Sequence, residues 1–274
     1  MTPPLRILYL VAHPDDGEVY GGGTAALWVQ AGHAVKFVCL TNGDAGHHRM
    51  AGKELAARRK QEAAVAAQRL GVTYEILDNP DGQLEPTLLH RHGVIRKIRE
   101  WHADVVVTHR PNDYHPDHRY TSILVQDAAY LVMVPALVSD VLPLRRPPVF
   151  LYFADHFQKP LPFTPDIAVA IDAVYDQKME ALHAHTSQFY EWLPWIDGQL
   201  DSVPSTDTAR RAWLQEQWTH PIDAPTRTSL KRWYGAVAGT AVQHAEAFEV
   251  SEYGYQPDEN EIKRLFPMIG YATQ

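Results

Sequence analysis

Two short segments hold most of the ionisable groups that could act together. In AHPDDGEVYGGGT (12–24), His13, Asp15 and Asp16 follow directly on an apolar run, LRILYLV. In RPNDYHPDH (110–118) the groups are Asp113, His115, Asp117 and His118, again just beyond an apolar run, DVVVTH. Asn42 and Asp44 form a smaller polar cluster after AVKFVCLT. A catalytic zinc takes about three imidazole or carboxylate ligands at about 2 Å and keeps one position open for water. His13 and Asp16 are three apart, and a tight turn at Pro14 would aim both at one metal, leaving Asp15 beside it as a general base. Water on zinc has a pKa near ~7, so such a carboxylate can take its proton as it attacks a carbonyl. His118 would complete the set. His115 would polarise the substrate oxygen or protonate a leaving amine, with Asp117 or Asp113 holding its tautomer. Each segment alone reads equally well as a turn whose aspartates cap the next helix. Two such clusters, both at strand ends, favour the metal reading.

Other candidates carry less. The glycine triplet in GEVYGGGT suggests a phosphate cradle, and with it a nucleotide- or sugar-binding transferase. It lacks the G-x-G-x-x-G order, and two aspartates stand where bare backbone should meet pyrophosphate. Small residues that let the first helix approach the sheet explain it better. Cys39 lies in a strand-like run, where a buried thiol is inert. His47 and His48 lie on a loop that could reach a substrate, and Arg58 and Arg59 lie on a strongly helical segment where a solvated charge is the default. Tyr114, Trp192 and Trp195 could stack on a sugar ring or serve as packing. A metal site built for folding alone would not need the spare carboxylate of HPDD.

These groups must be positioned by the elements between them. Apolar runs at 5–11, 34–41, 73–77, 104–109, 150–155 and 167–172 read as strands. Segments ending at Gly32 and Gly71, and those at 87–102, 118–134 and 173–189, read as helices, and a further helix is expected around 234–248. The alternation predicts an α/β fold: a Rossmann-like, doubly wound, mostly parallel sheet flanked by helices in three layers, with ligands beyond the carboxyl ends of the strands. One domain over 1–274 is expected, with 190–230, rich in Trp, Pro and Asp, as an insertion or lid within it.

With 25 Lys+Arg against 33 Asp+Glu the formal charge is -8, which argues against nucleic acid or an anionic membrane as partner. No apolar stretch reaches the length of a membrane span or has the form of a signal peptide. The single cysteine favours a cytoplasmic location. A homo-oligomer is compatible with the sequence, although no interface is legible in it.

Taken together, AHPDD, GGT, LTNGDAG, R-x-x-E-A with LGV, NPDGQL, RPNDYHPDH, KMEALHAHTSQF and HAEAF are similar to the LmbE-like or PIG-L family of zinc-dependent N-acetylglucosaminyl deacetylases. The likeness runs through most of 5–253, outside 190–230. It implies zinc on His13, Asp16 and His118, Asp15 as base, and His115 supported by Asp117 as electrostatic or acid partner. It further implies substrate contacts by Arg59 and His185; Asp44, at a strand end, and Tyr114, beside HPDH, are further candidates for substrate contact. The implied reaction releases acetate and a free amine from an N-acetylated amino sugar or its conjugate. Iron or another divalent metal also accepts two histidines and a carboxylate.

Overall fold

The computed structural model describes residues 3–270. Its strands are β1 (Arg6–Val11), β2 (Ala34–Cys39), β3 (Thr73–Ile76), β4 (Val105–Thr108), β5 (Val149–Phe153), β6 (Ile167–Ala170) and β7 (Ala245–Gly254). They form one seven-stranded sheet in the order β3-β2-β1-β4-β5-β7-β6. The first five neighbours are parallel, and β7 runs antiparallel to both β5 and β6. β1 and β4 are buried throughout their paired length because helices cover both faces of the sheet.

Alternation along β1 divides the core. Ile7, Tyr9 and Val11 pack in one cluster with Trp28, Phe37 and Leu70, whereas Leu8 and Leu10 pack in another with Ile95, Val106 and Leu124. The first face is covered by α1 (Asp16–Gln30), α2 (Gly52–Leu70) and α5 (Tyr175–Ala184), the second by α3 (Leu88–Trp101) and α4 (Pro116–Leu131). These are the three layers that the alternation predicts. From β1 the chain winds outward to β2 and β3, then returns to β4 on the other side, so the carboxyl ends of β1 and β4 flank a crevice. Leu10 pairs with Thr108 there, which sets the HPDD turn beside His109 and the loop to HPDH.

The glycines of α1 serve packing. A Cβ at Gly21 would lie 2.6 Å from Tyr9 Oη, and one at Gly23 would lie 2.9 Å from Ile171. Gly21 also leaves helical geometry, with φ -150 and ψ 16. The N–H groups of Gly23 and Thr24 freed by that kink donate to the buried Glu246 carboxylate at 2.9 and 2.7 Å. Lys178 Nζ, 2.7 Å from Glu246, neutralises it.

Two regions depart from expectation. The helix expected over 234–248 is α8 (Ala224–Tyr234), α9 (Ala236–Ala241) and then β7. Ala-rich composition suggested a helix, but Phe248 pairs with Phe153 and Ile167, and filling the gap between β5 and β6 outweighs that weak propensity. The helix expected over 173–189 ends at Ala184, and residues Gln188–Trp192 form a π-turn. Residues 190–230 are folded: α6 (Leu193–Ile196) and α7 (Asp207–Trp218) lead to α8, with Leu214 packed on Met179, Leu182 and Phe189. α10 (Glu259–Leu265) closes the described chain, where Leu265 O accepts from Trp28 Nε1 at 2.7 Å. No helix among the described residues is long and apolar enough to cross a membrane.

Candidate active site

A cleft of about 380 Å³ opens at the carboxyl ends of the strands. Its floor is the turn after β1. Pro14 and Asp15 lead from the strand into α1, and the His13 N–H donates to Asp16 Oδ2 at 2.7 Å, closing the turn. His118 is presented by the first turn of α4, which begins with Pro116 and is N-capped by the His115 side chain.

Three groups converge. His13 Nδ1 lies 3.2 Å from His118 Nε2, His118 Nε2 lies 3.4 Å from Asp16 Oδ1, and His13 Nδ1 lies 3.6 Å from Asp16 Oδ2. Ligands at 2.0–2.1 Å from a tetrahedral metal are about 3.3 Å apart, so the two nitrogens suit one edge of such a site, with one Asp16 oxygen near each of them. The opposite ring nitrogens are each held by a carboxylate. His13 Nε2 lies 3.1 Å from Asp81 and 3.3 Å from Asp117, and His118 Nδ1 lies 3.0 Å from Asp113 in an ion pair off the ideal hydrogen-bond axis. Carboxylates that draw the ring hydrogens outward leave two lone pairs facing each other beside a third anionic group. Such a set calls for a cation. Burial lowers the His118 pKa, but Asp16 and Asp113 overcome it and push the imidazole up to about 9. Burial likewise opposes charge on Asp16, yet His118 and His109 hold its carboxyl well below the usual range. The field at the meeting point therefore favours positive charge, and the donor chemistry fits a divalent metal. Further groups of suitable spacing overlap this one: His13 with His115 and His118, Asp16 with His109 and His118, and His13 with Asp81 and Asp117.

Asp15 stands beside the cluster and lines the cleft. Burial pushes its carboxyl up to about 6 against the pull of Arg59, whose Nη2 lies 3.2 Å from Asp15 Oδ1. His115 also lines the cleft. Its Nδ1 accepts from the Asp117 backbone N–H at 3.2 Å, so the ring hydrogen belongs on Nε2. Burial, then His13 and His118, lower its pKa and keep it neutral.

Several expected roles change. Asp117 makes no side-chain bond to His115: its carboxylate faces His13 and accepts from the N–H groups of Gly82 and Leu84 at 2.7 and 3.2 Å. Asp113 takes His118 instead of His115. His185 does not reach the cleft. It is fully buried, 3.1 Å from the equally buried Glu18, because α5 ends one residue before it and turns its ring toward α1. Asp44 also lies off the cleft wall; its Oδ1 accepts from the Asp81 N–H at 2.9 Å and so places Asp81. Arg59 lines the cleft but is largely committed, donating to Pro14 O at 2.9 Å and pairing with Asp15 and Asp81. Tyr114, 67% exposed, stands at the rim where a substrate contact was expected.

Two residues were not anticipated. Asp81 follows β3 in the NPDG turn, and His109 closes β4. The His109 ring stacks on His118 at 3.9 Å and its Nε2 lies 3.2 Å from Asp16. Burial, reinforced by His118, pushes His109 down to about 4, so it supports the cluster as a neutral ring. The available signal was position: both are polar groups at the carboxyl end of a strand next to β1 or β2.

Fold and site together define an α/β protein with a split His/Asp centre at the switch point of its sheet. The chain belongs to the PIG-L family, whose model, described as GlcNAc-PI de-N-acetylase, matches residues 8–129. It is 30% identical over 207 residues to the diacetylchitobiose deacetylase of Thermococcus kodakarensis, covering 70% of this chain and 74% of that one. It is 27% identical over 202 residues to the 4-oxalmesaconate hydratase of Pseudomonas putida, covering 70% and 77%. Among solved structures, N,N'-diacetylchitobiose deacetylase from Pyrococcus horikoshii superposes with a TM-score of 0.65 at 23% identity, over 89% of this chain and 83% of that one. Relatives that deacetylate N-acetylglucosamine-type sugars favour hydrolysis over a nucleotide- or sugar-binding transferase.

Proposed function

We propose that this protein is a metal-dependent deacetylase that hydrolyses the N-acetyl group of an N-acetylglucosamine-type sugar or conjugate. The observation that carries this reading is the convergence of His13 Nδ1, His118 Nε2 and the Asp16 carboxylate within 3.2–3.6 Å, with Asp15 beside them in the cleft. His13, Asp16 and His118 would hold the metal, zinc in this proposal. When bound, it supplies Lewis-acid stabilisation of developing negative charge and makes a water acidic enough to attack an amide. Asp15, held at one oxygen by Arg59, takes the proton of the attacking water and passes it to the departing amine. His115, with its hydrogen on Nε2, donates to the acyl oxygen as that oxygen gains charge. Asp117 and Asp81 orient His13, and Asp113 orients His118. Residues 190–230 act as the wall that chooses among sugar conjugates, since Trp192, Leu193, Ile196 and Trp218 line the cleft.

A second reading, hydration of an alkene, draws on the likeness to the hydratase. The cleft argues against an anionic substrate such as an oxalmesaconate. Asp15, Asp16 and Asp81 line it, and among the described residues its one Lys or Arg is Arg59, already paired with two of them. Acetate detection on a panel of N-acetylated amino sugars, run beside an assay for hydration of oxalmesaconate, separates the two. Acetate release supports the first reading, and hydration without acetate release would replace it.

A further inference from the structure

The far end of the cleft carries aromatic surface that the hydrolysis itself does not use. Trp192 lines the cleft, its ring 5.4 Å from that of Trp195 and inclined by 16°. Trp195 in turn lies 5.4 Å from the His48 imidazole at 11°. Near-parallel rings at this separation form an offset stack, in which each ring overlaps only part of the next and leaves the rest uncovered. Trp195 is 49% exposed and Ile196 beside it 54%, which sets this surface apart from core packing.

The shelf is braced from behind. Both oxygens of Glu191 accept from Arg58 on α2, at 2.5 and 2.7 Å, and His47 Nε2 lies 2.8 Å from the same carboxylate. Gln188 Nε2 donates to Gly46 O at 3.1 Å, tying the loop after β2 to the π-turn. Gly46 also joins the shelf to the reacting centre. A Cβ there would lie 3.4 Å from Asp81 Oδ2 and 3.7 Å from Trp192 Nε1. One polar group borders this surface on the side of the reacting centre, the Trp192 indole N–H beside Gly46. An alkyl chain has no use for that donor. A ring with C–H groups on its face and hydroxyls on its rim matches both features.

We propose that His48, Trp192 and Trp195 form a second-ring subsite that binds the pyranose attached to the N-acetylated sugar and so selects disaccharide-like conjugates over the free monosaccharide. This inference rests on the deacetylase reading. Glu191 is a positioning residue that sets the shelf against α2.

The test measures acetate release and indole fluorescence together, on N-acetylglucosamine, its octyl glycoside and N,N'-diacetylchitobiose. In Trp195→Ala the ratio of kcat/KM for the disaccharide to that for the monosaccharide should fall by up to about tenfold, and Trp195→Phe should restore most of it. Glu191→Gln should raise KM for the disaccharide more than it lowers kcat. The fluorescence response to the disaccharide should weaken in Trp195→Ala. A ratio that does not change, or an octyl glycoside preferred to the disaccharide, overturns the subsite. Should the wild type release no acetate yet respond in fluorescence to the disaccharide, the subsite stands and the deacetylase reading falls. Silence in both measurements removes both.

Discussion

Asp15 holds a backbone conformation that an L-residue seldom adopts, with φ 147 and ψ -24 at the N-cap of α1. Such a conformation costs on the order of 1–3 kcal/mol and persists only where the surroundings over-determine it. Arg59 does this by gripping both Pro14 O and the Asp15 carboxylate. Asp15→Asn should therefore keep the metal while lowering acetate release by about 10²–10⁴. Metal content and rate measured on one preparation check it, and joint loss would make Asp15 a ligand. The pH profile follows from the same pair. A base must be unprotonated, and burial has pushed Asp15 up to about 6, so kcat/KM should fall as pH drops through that value. Arg59 pulls that pKa down, so Arg59→Met should move the acid limb to higher pH; an unmoved limb would mean the guanidinium does not tune the base. Asp117→Asn should weaken metal affinity by about 10–100-fold, read by competition with a chromophoric chelator. Spacing within HPDD made it legible in the sequence that His13 and Asp16 would come together with Asp15 beside them. It could not show that Asp117 turns to His13 and Asp113 to His118, because side-chain direction depends on how α4 begins against the loop after β3.

At the scale of elements, the turn after β1 and the first turn of α4 work because α1 can lie close to the sheet. Gly23 has no room for a side chain, with Ile171 2.9 Å from where its Cβ would be. Gly23→Val should destabilise the fold by about 1–3 kcal/mol through overpacking, measured by urea unfolding, and an unchanged midpoint would show that α1 has slack. The helices ending at Gly32 and Gly71 and the buried run of β4 were legible because their signals are local. β7 was not. Its Ala-rich start resembles a helix, and only the open slot between β5 and β6, an arrangement of distant segments, decides otherwise. The segment from 190 to 230 hid for a similar reason. Its helices are short and held by contacts with α5, as at Leu214 against Met179 and Leu182.

For the whole molecule, strand order does what sequence distance conceals. β1 and β4 are neighbours, so His13 and His118, 105 residues apart, meet nitrogen to nitrogen at 3.2 Å. Parallel β1–β5 could be foreseen from the alternation of strands and helices, and with it the crevice that ligands use. A formal charge of -8 and a cleft lined with carboxylates suit a neutral hydroxylated substrate better than an anion. The central claim is that His13, Asp16 and His118 hold a metal on which deacetylation depends. The direct measurement is acetate release from an N-acetylglucosamine conjugate, before and after dialysis against a chelator and again after a stoichiometric divalent metal is restored. Activity should vanish with the metal and return with it in the wild type, and should not return in His118→Ala. Turnover that survives complete removal of the metal would contradict the account.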